Sequence, residues 1–340
     1  MSAPASVLGG GSFGTVLASI IAGKGTEVRL WLRNPDAARE IQVSRRNTAY
    51  LPDCELGPAL TATADLAAAV AGAGPVFVAV PSASCREVAR LAAPHLPPGV
   101  QVISTTKGLE GEGFKLMSQV LAEELPEASI GVLSGPNIAA ELAMRRPAAA
   151  VIASADEKLR SCAQKLLHCD YFRVYAGSDM YGVELGGALK NIYAIMGGIA
   201  TALNVGYNAM GLLITRSLAE MSRFAIQLGA DPITFLGLAG VGDLLVTCLS
   251  PNSRNYRVGY ALGQGMSLEQ ALAQVDQTAE GVNTLRIVVP RARQEGIYMP
   301  LADGLYRILF EEQALEDVIS ALMRLEQKDD VEFQTARPAD

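Results

Sequence analysis

The sequence predicts an α/β protein: an N-terminal doubly wound, mostly parallel sheet domain followed by an all-α domain. Three observations carry this. Short β-branched runs alternate with helix-like segments up to about residue 178. A glycine-rich turn follows the first of those runs. Beyond residue 178 the apolar spacing becomes helical throughout. The chain has 340 residues, enough for two domains of ordinary size, and we divide it into a sheet domain over 1–180, a helical domain over 181–328 and a loose tail over 329–340.

The expected strands are Ala5–Leu8, Glu27–Leu32, Val76–Val80, Val100–Ser104, Ile130–Leu133, Ala148–Ala153 and Phe172–Tyr175. Helical segments lie between them at Thr15–Ala22, Asp36–Arg45, Ala83–Ala92, Lys115–Leu125 and Asp156–Leu167. Strand–helix alternation of this kind gives a parallel sheet with helices on both faces. In the second half, Ser178 or Asp179 is placed to cap a long helix over Gly182–Leu203. Further helices are expected at Ala209–Leu228, Ile233–Leu238, Tyr256–Leu262, Leu268–Gln274, Thr284–Gln294, Leu301–Phe310 and Leu315–Leu325, with Gly229, Pro232, Gly263, Gly265, Gly296 and Pro300 as punctuation. The two halves are expected to enclose a cleft.

Half of the residues are hydrophobic and only 19% are charged, which excludes a disordered chain. A net charge of −7 argues against a nucleic-acid-binding face but leaves room for a local anion pocket. The five cysteines form no CxxC pair, so a reduced cytoplasmic protein with packing cysteines and no metal centre is expected. Because the N-terminal MSAPASVLGGG has no basic region followed by an apolar run, no signal peptide is expected. The apolar run Leu185–Leu203 holds Lys190, Asn191 and glycines, so it is read as a buried helix and not as a membrane span.

Gly9, Gly11 and Gly14 form G-x-G-x-x-G directly after the first strand and open a helix. The first glycine permits the tight turn and the second a close backbone approach to a pyrophosphate. The third lets helix pack on strand. This is a Rossmann-like dinucleotide fingerprint in its proper context, and no P-loop occurs. The second strand ends in Arg33, where a strict NAD binder carries an acidic residue. An arginine there can pair with a 2′-phosphate, so NADP is expected to be accepted, while nearby Asp36 keeps NAD open.

A bound nicotinamide dinucleotide implies hydride transfer, and carbonyl reduction also needs a proton donor. The only histidines, His95 and His168, lie in connector-like sequence. Lysines in apolar surroundings are the better donors, because burial disfavours the ammonium. Lys190 stands alone in the helix; the next charged residue is Arg216. Lys107 follows the carboxyl end of a strand, where such sheets bind ligands. Asp243, between a glycine turn and an apolar run, is placed either to balance Lys190 or to cap a helix. Ser253, Arg254 and Asn255 open a helix and supply hydroxyl, guanidinium and amide, either as an anion site or as a plain capping turn.

These residues carry a resemblance. LGGGSFGT (8–15), STTKGLEGE (104–112), LSGPNIAAEL (133–142), GVELGGALKN (182–191), LITRSLAEMSR (213–223), GLAGVGDLLVTC (237–248), SRNYRVG (253–259) and AEGVNT (279–284) run in collinear order. In them the chain resembles the soluble bacterial type of NAD(P)-dependent glycerol-3-phosphate dehydrogenase. The resemblance implies reversible reduction of dihydroxyacetone phosphate to sn-glycerol 3-phosphate, feeding phospholipid synthesis, with NADP or NAD as cofactor and a homodimeric assembly. It implies Lys190 as catalytic acid/base, with Lys107 and Asp243 beside it. Lys107, Gly135, Asn137, Lys190, Asp243, Ser253, Arg254 and Asn255 would contact the substrate. Gly9, Gly11, Ser12, Phe13, Gly14, Arg33, Lys107, Ala139, Arg254, Thr278 and Glu280 would line the cofactor site. The chain departs from many relatives at Asn137 (Ser or Thr), Ser217 (Gly) and Phe13 (Trp or Tyr). The rival readings are a lysine-dependent 3-hydroxy-acid dehydrogenase of the same architecture and a non-catalytic dinucleotide-binding protein. The first would not be expected to carry SRNYRVG or GLAGVGD, and the second predicts loss of the lysine or the anion site.

Overall fold

A computed structural model describes residues 3–111, 113–275 and 279–325. The expected tail over 329–340 lies outside the described residues. The chain divides into two compact units, Met1–Ala188 and Leu189–Asp340.

The first unit is built on an eight-stranded sheet. In chain order its strands and hairpins are β1 (Ala5–Leu8), β2 (Val28–Trp31), β3 (Arg46–Asn47), β4 (Leu51–Glu55), β5 (Leu60–Thr63), β6 (Pro75–Val78), β7 (Gln101–Ser104), β8 (Leu109–Glu110), β9 (Lys115–Leu116), β10 (Ser129–Ser134), β11 (Ala148–Ala153) and β12 (Phe172–Gly177). The helices are α1 (Ser12–Gly23), α2 (Pro35–Ser44), α3 (Leu66–Val70), α4 (Ser82–Ala92), α5 (Met117–Glu124), α6 (Ala139–Ala143) and α7 (Glu157–Leu167). The sheet runs β12-β11-β10-β7-β6-β1-β2-β5. Its pairings are parallel except β10 with β11. The chain begins at the centre, winds outward through β2 and β5, then returns past β1 to β6. That reversal makes the carboxyl ends of β1 and β6 a topological switch point.

The alternation of side chains along each strand builds two cores, one per face. Val7, Phe77 and Ile103 pack with α1, α2 and α7 through Leu17, Ile41 and Leu159. Their neighbours Leu8, Val78 and Val102 pack on the other face with α3, α4 and α5 through Val70, Val88 and Leu121. The strands missed from sequence are β5 and the two-residue-edged hairpins β3–β4 and β8–β9. The β3–β4 pairing is broken by a register shift between Arg46 and Asn47, and β4 is largely exposed, so neither shows a clean apolar alternation. The expected helix start at Lys115 is instead β9, because Lys115 pairs with Glu110 across the hairpin.

The second unit is all-helical among the described residues. It comprises the greater part of α8 (Met180–Ala202), then α9 (Gly206–Gln227), α10 (Asp243–Leu249), α11 (Arg254–Gly263), α12 (Leu268–Ala273), α13 (Glu280–Glu295), α14 (Pro300–Phe310) and α15 (Leu315–Met323). Asp179 caps α8, accepting from the Gly182 N–H at 2.8 Å. The helix expected over Ile233–Leu238 is a 3-10 turn over Pro232–Leu236, followed by a kink at Gly240 (φ −94°, ψ −105°). Among the described residues no helix is long and apolar enough to cross a membrane.

The glycine content of α8 and its neighbours has a packing cause. A Cβ on Gly198 would lie 2.0 Å from the Tyr256 carbonyl oxygen, and one on Gly259 would lie 1.8 Å from that of Ile195. The backbones of α8 and α11 therefore touch, which no other residue type allows.

In the first unit, α8 is fixed by Glu184, whose carboxylate is 2% exposed. It accepts from the Ser118 N–H at 2.9 Å and from the Ser118 hydroxyl, at the start of α5. Burial pushes the Glu184 carboxyl up to about 7, against the Ser118 bonds that pull it down. A folded-state value raised above the unfolded one adds stability that is complete below the unfolded carboxyl range and is lost as pH rises through 7. Glu184→Gln, which mimics the protonated acid, should therefore gain in thermal midpoint relative to wild type as pH rises from 5 to 8, by a few degrees. Calorimetric midpoints with a pH-independent difference would contradict this.

Candidate active site

The carboxyl end of β1 leads into the glycine turn. Gly9 has φ +119°, and a Cβ there would lie 2.6 Å from the Ala79 carbonyl oxygen, just past β6. A Cβ on Gly14 would lie 2.0 Å from the Gly9 carbonyl oxygen, so helix and turn pack backbone to backbone. Gly11 differs. It is the N-cap of α1, it makes no side-chain cap, and a Cβ there would meet nothing within 4 Å. No side-chain cap therefore occupies the first N–H groups of α1, as a pyrophosphate site requires. Ser12 and Phe13 follow, half-buried, and Phe13 packs on the same core as Ala139 at the start of α6. Arg33 is exposed beyond the end of β2. Asp36 nearby is ion-paired with Arg39 and bonds through its N–H to Asn34.

The ends of β7 and β10 bring Lys107, Gly135 and Asn137 together. The Lys107 ammonium donates to the Gly135 carbonyl at 3.0 Å. Gly135 has φ +139°, and a Cβ there would approach the Asn137 amide at 3.1 Å. Both polar atoms of the Asn137 side chain are buried without a hydrogen-bond partner. Buried polar groups left in this state are costly, and a ligand that pairs them recovers that cost.

In the second unit the lone lysine has its partners. Lys190 is 6% exposed and Asp243 is 1% exposed. Lys190 Nζ is ion-paired with Asp243 Oδ1 and donates to Thr247 Oγ1 at 2.7 Å. The Thr247 hydroxyl in turn donates to the Asp243 carbonyl at 2.6 Å. An ammonium buried alone would cost far more than the fold could supply; paired and hydrogen-bonded, it is tolerated. Asp243 is the first residue of α10 but not its cap, which is Gly242, so the capping reading of Asp243 falls. Burial pushes the adjacent Cys248 thiol up to about 12, although the Lys190 charge pulls it down, so Cys248 is no nucleophile here.

Asn191, next to Lys190, accepts from Asn255 Nδ2 at 3.0 Å, and Asn255 Oδ1 accepts from the Gly281 N–H at 2.9 Å. One amide thus joins α8, α11 and α13. It ties the N-terminal turn of α11, which begins at Arg254, to that of α13, which begins at Glu280. Ser253 caps α11 by accepting from the Tyr256 N–H at 3.3 Å, and Arg254 is exposed at that N-terminus. Tyr193, one turn past Lys190, donates to Glu220 at 3.0 Å; Glu220 also accepts from the N–H groups of Leu301 and Ala302. Thr278 lies outside the described residues. His95 and His168 are both exposed.

Lys107, Gly135 and Asn137 thus converge in the first unit, and Lys190, Asp243, Ser253, Arg254 and Asn255 belong to the second. Sequence reading missed Thr247 and Asn191. The Asp243–Thr247 spacing of four residues, one face of a helix, was the available signal for Thr247. Ser217 is buried with an unpartnered hydroxyl, and nothing in the structure explains it.

An anion-ready turn at the switch point of a doubly wound sheet places the first unit among dinucleotide-binding α/β domains. Comparison with known proteins narrows this. The family model described as the N-terminus of NAD-dependent glycerol-3-phosphate dehydrogenase matches residues 4–160, and the C-terminal model of the same family matches residues 179–320. The chain belongs to the NAD-dependent glycerol-3-phosphate dehydrogenase family. It is 55% identical over 328 residues to a Saccharophagus degradans protein named glycerol-3-phosphate dehydrogenase [NAD(P)+], covering 96% of this chain and 92% of that one. An Alcanivorax borkumensis protein of the same name is 54% identical, with 97% and 96% covered. The crystal structure of glycerol-3-phosphate dehydrogenase from Coxiella burnetii matches with a TM-score of 0.91 at 38% identity, over 95% of this chain and 99% of that one.

Thr247→Val keeps the volume and removes the hydroxyl that orients Lys190. It should lower turnover by roughly tenfold or more with little change in cofactor affinity. Steady-state kinetics at saturating cofactor checks this, and unchanged turnover would remove Thr247 from the site.

Proposed function

We propose that this protein catalyses the reversible NAD(P)H-dependent reduction of dihydroxyacetone phosphate to sn-glycerol 3-phosphate. The single observation that carries the mechanism is the buried Lys190 held by Asp243 and Thr247. The family membership supports the substrate and the cofactor.

When bound, the reduced nicotinamide supplies the hydride that reaches the carbonyl carbon. The chain supplies the rest. The glycine turn and the N-terminus of α1 would hold the pyrophosphate, and Arg33, just past β2, would pair with a 2′-phosphate on the adenosine ribose when one is present. The Lys190 ammonium donates its proton to the substrate's carbonyl oxygen, so hydride and proton together make the alcohol. The same charge stabilises the oxygen as electron density builds there. Asp243 and Thr247 fix the direction of the ammonium, and the proton is replaced from solvent after product leaves. Arg254, Ser253 and the N-terminus of α11 grip the phosphate. Asn255 acts through its bonds to Asn191 and Gly281, holding that N-terminus beside Lys190's helix. Lys107 and Asn137 take the polar atoms of the substrate chain.

The product feeds phospholipid synthesis. Five cysteines without a CxxC pair suit a reducing compartment, and we place the enzyme in the cytoplasm. The acidic charge balance suits a small-molecule enzyme without a nucleic-acid partner. A homodimer is the assembly that the resemblance implies. A 3-hydroxy-acid substrate is disfavoured by the phosphate-type site over Ser253–Asn255.

The test follows reduced-nicotinamide absorbance with dihydroxyacetone phosphate, once with NADPH and once with NADH. Substrate-dependent loss is expected, and Arg254→Ala should raise the Michaelis constant for the phosphorylated substrate roughly tenfold or more. No loss with either cofactor, in folded protein that binds them, would overturn the substrate assignment.

A further inference from the structure

Asn47, which no sequence motif singled out, bonds directly to the glycine turn. It sits at the end of β3 and is 3% exposed. Its Nδ2 donates to the Gly10 carbonyl at 2.8 Å and to Thr15 Oγ1 at 2.8 Å. A carbonyl can only accept, so the amide has one orientation. The strand that carries Asn47 is itself clamped. Arg45, the residue before that strand, donates from its guanidinium to the carbonyls of Leu56, Gly57 and Leu60.

The consequence lies in the next peptide. The Gly10–Gly11 peptide is trans, so the Gly11 N–H is antiparallel to the Gly10 carbonyl across one planar unit. Drawing that carbonyl to Asn47 turns the Gly11 N–H away from it. Gly11 is also the residue whose Cβ position is open space. The bond to Thr15 fixes the first turn of α1 to the same amide. Both parts of the anion cradle, the turn and the helix start, therefore answer to one buried side chain.

We propose that Asn47 is a positioning residue for the dinucleotide pyrophosphate, setting the peptide orientation of the glycine turn before the cofactor arrives. This rests on the cofactor reading given above. Because the pyrophosphate is common to both cofactors, Asn47 acts on NADPH and NADH alike and not on the choice between them.

The experiment titrates full-length wild type and Asn47→Ala with NADPH and with NADH, following nicotinamide fluorescence without substrate. The dissociation constants of both should rise by the same factor, roughly tenfold. The Michaelis constant for dihydroxyacetone phosphate at saturating cofactor should stay within twofold. If Asn47→Ala does not fold, as judged by circular dichroism, Asn47→Asp keeps the volume and replaces the donating amide with an accepting oxygen, and the same equal loss is expected. A folded variant with unchanged dissociation constants, whatever its thermal midpoint, would overturn the proposal, as would a loss confined to one cofactor. Wild type that binds neither cofactor would instead overturn the cofactor reading, and the proposal with it.

Discussion

The buried ion pair between Lys190 and Asp243 is the constraint around which the helical unit is arranged. A charge pair this deep does not earn its place by stability, since well-packed apolar residues would serve at least as well. It demands that α10 lie close enough to α8 for the carboxylate to reach the ammonium, and that Thr247 complete the coordination. The surrounding helices meet that demand through glycine. Gly198 and Gly259 bring α8 and α11 into backbone contact, and Gly281 would clash with the Asn191 carbonyl if it carried a Cβ. The apolar, glycine-rich character of α8 follows from this crowding. Its single lysine is the group to which the proposed proton transfer is assigned.

The sheet unit solves a different problem with similar means. It must leave room for a dinucleotide at the glycine turn without collapsing onto it. Gly9 and Gly14 are packed too tightly for any side chain, whereas Gly11 is open. Asn47 turns the peptide between these regions. Farther along the sheet, the Lys107 ammonium donates to the Gly135 carbonyl, while the Asn137 amide beside it has no hydrogen-bond partner. Each unit thus keeps a small set of polar atoms organised in advance, the condition under which electrostatic stabilisation is effective.

Much of this was legible in the sequence, for physical reasons. The strands β1, β6 and β7 are buried on both faces, so their apolar runs are unmistakable, and the glycine fingerprint sits where strand gives way to helix. The isolated lysine in α8 announced itself by its cost. Other features left no local trace. Asn47 and Thr247 matter through partners 37 and 57 residues away, and a single polar residue at either position looks like any other. The hairpin β3–β4 carries a register shift and an exposed strand, so it lacks the period that marks a strand. The resemblance implies a substrate contact at Asn255, but its part in joining helices left no trace in the sequence. Its amide is engaged by Asn191 and Gly281, a relation that only the packing of three helices reveals.

The central claim is that Lys190 supplies the proton. Its most direct test is the turnover of Lys190→Met with dihydroxyacetone phosphate, measured beside cofactor affinity. The account predicts a fall in turnover of several orders of magnitude with a cofactor dissociation constant close to wild type. A folded Lys190→Met enzyme that still reduces the substrate at a near-normal rate would contradict it.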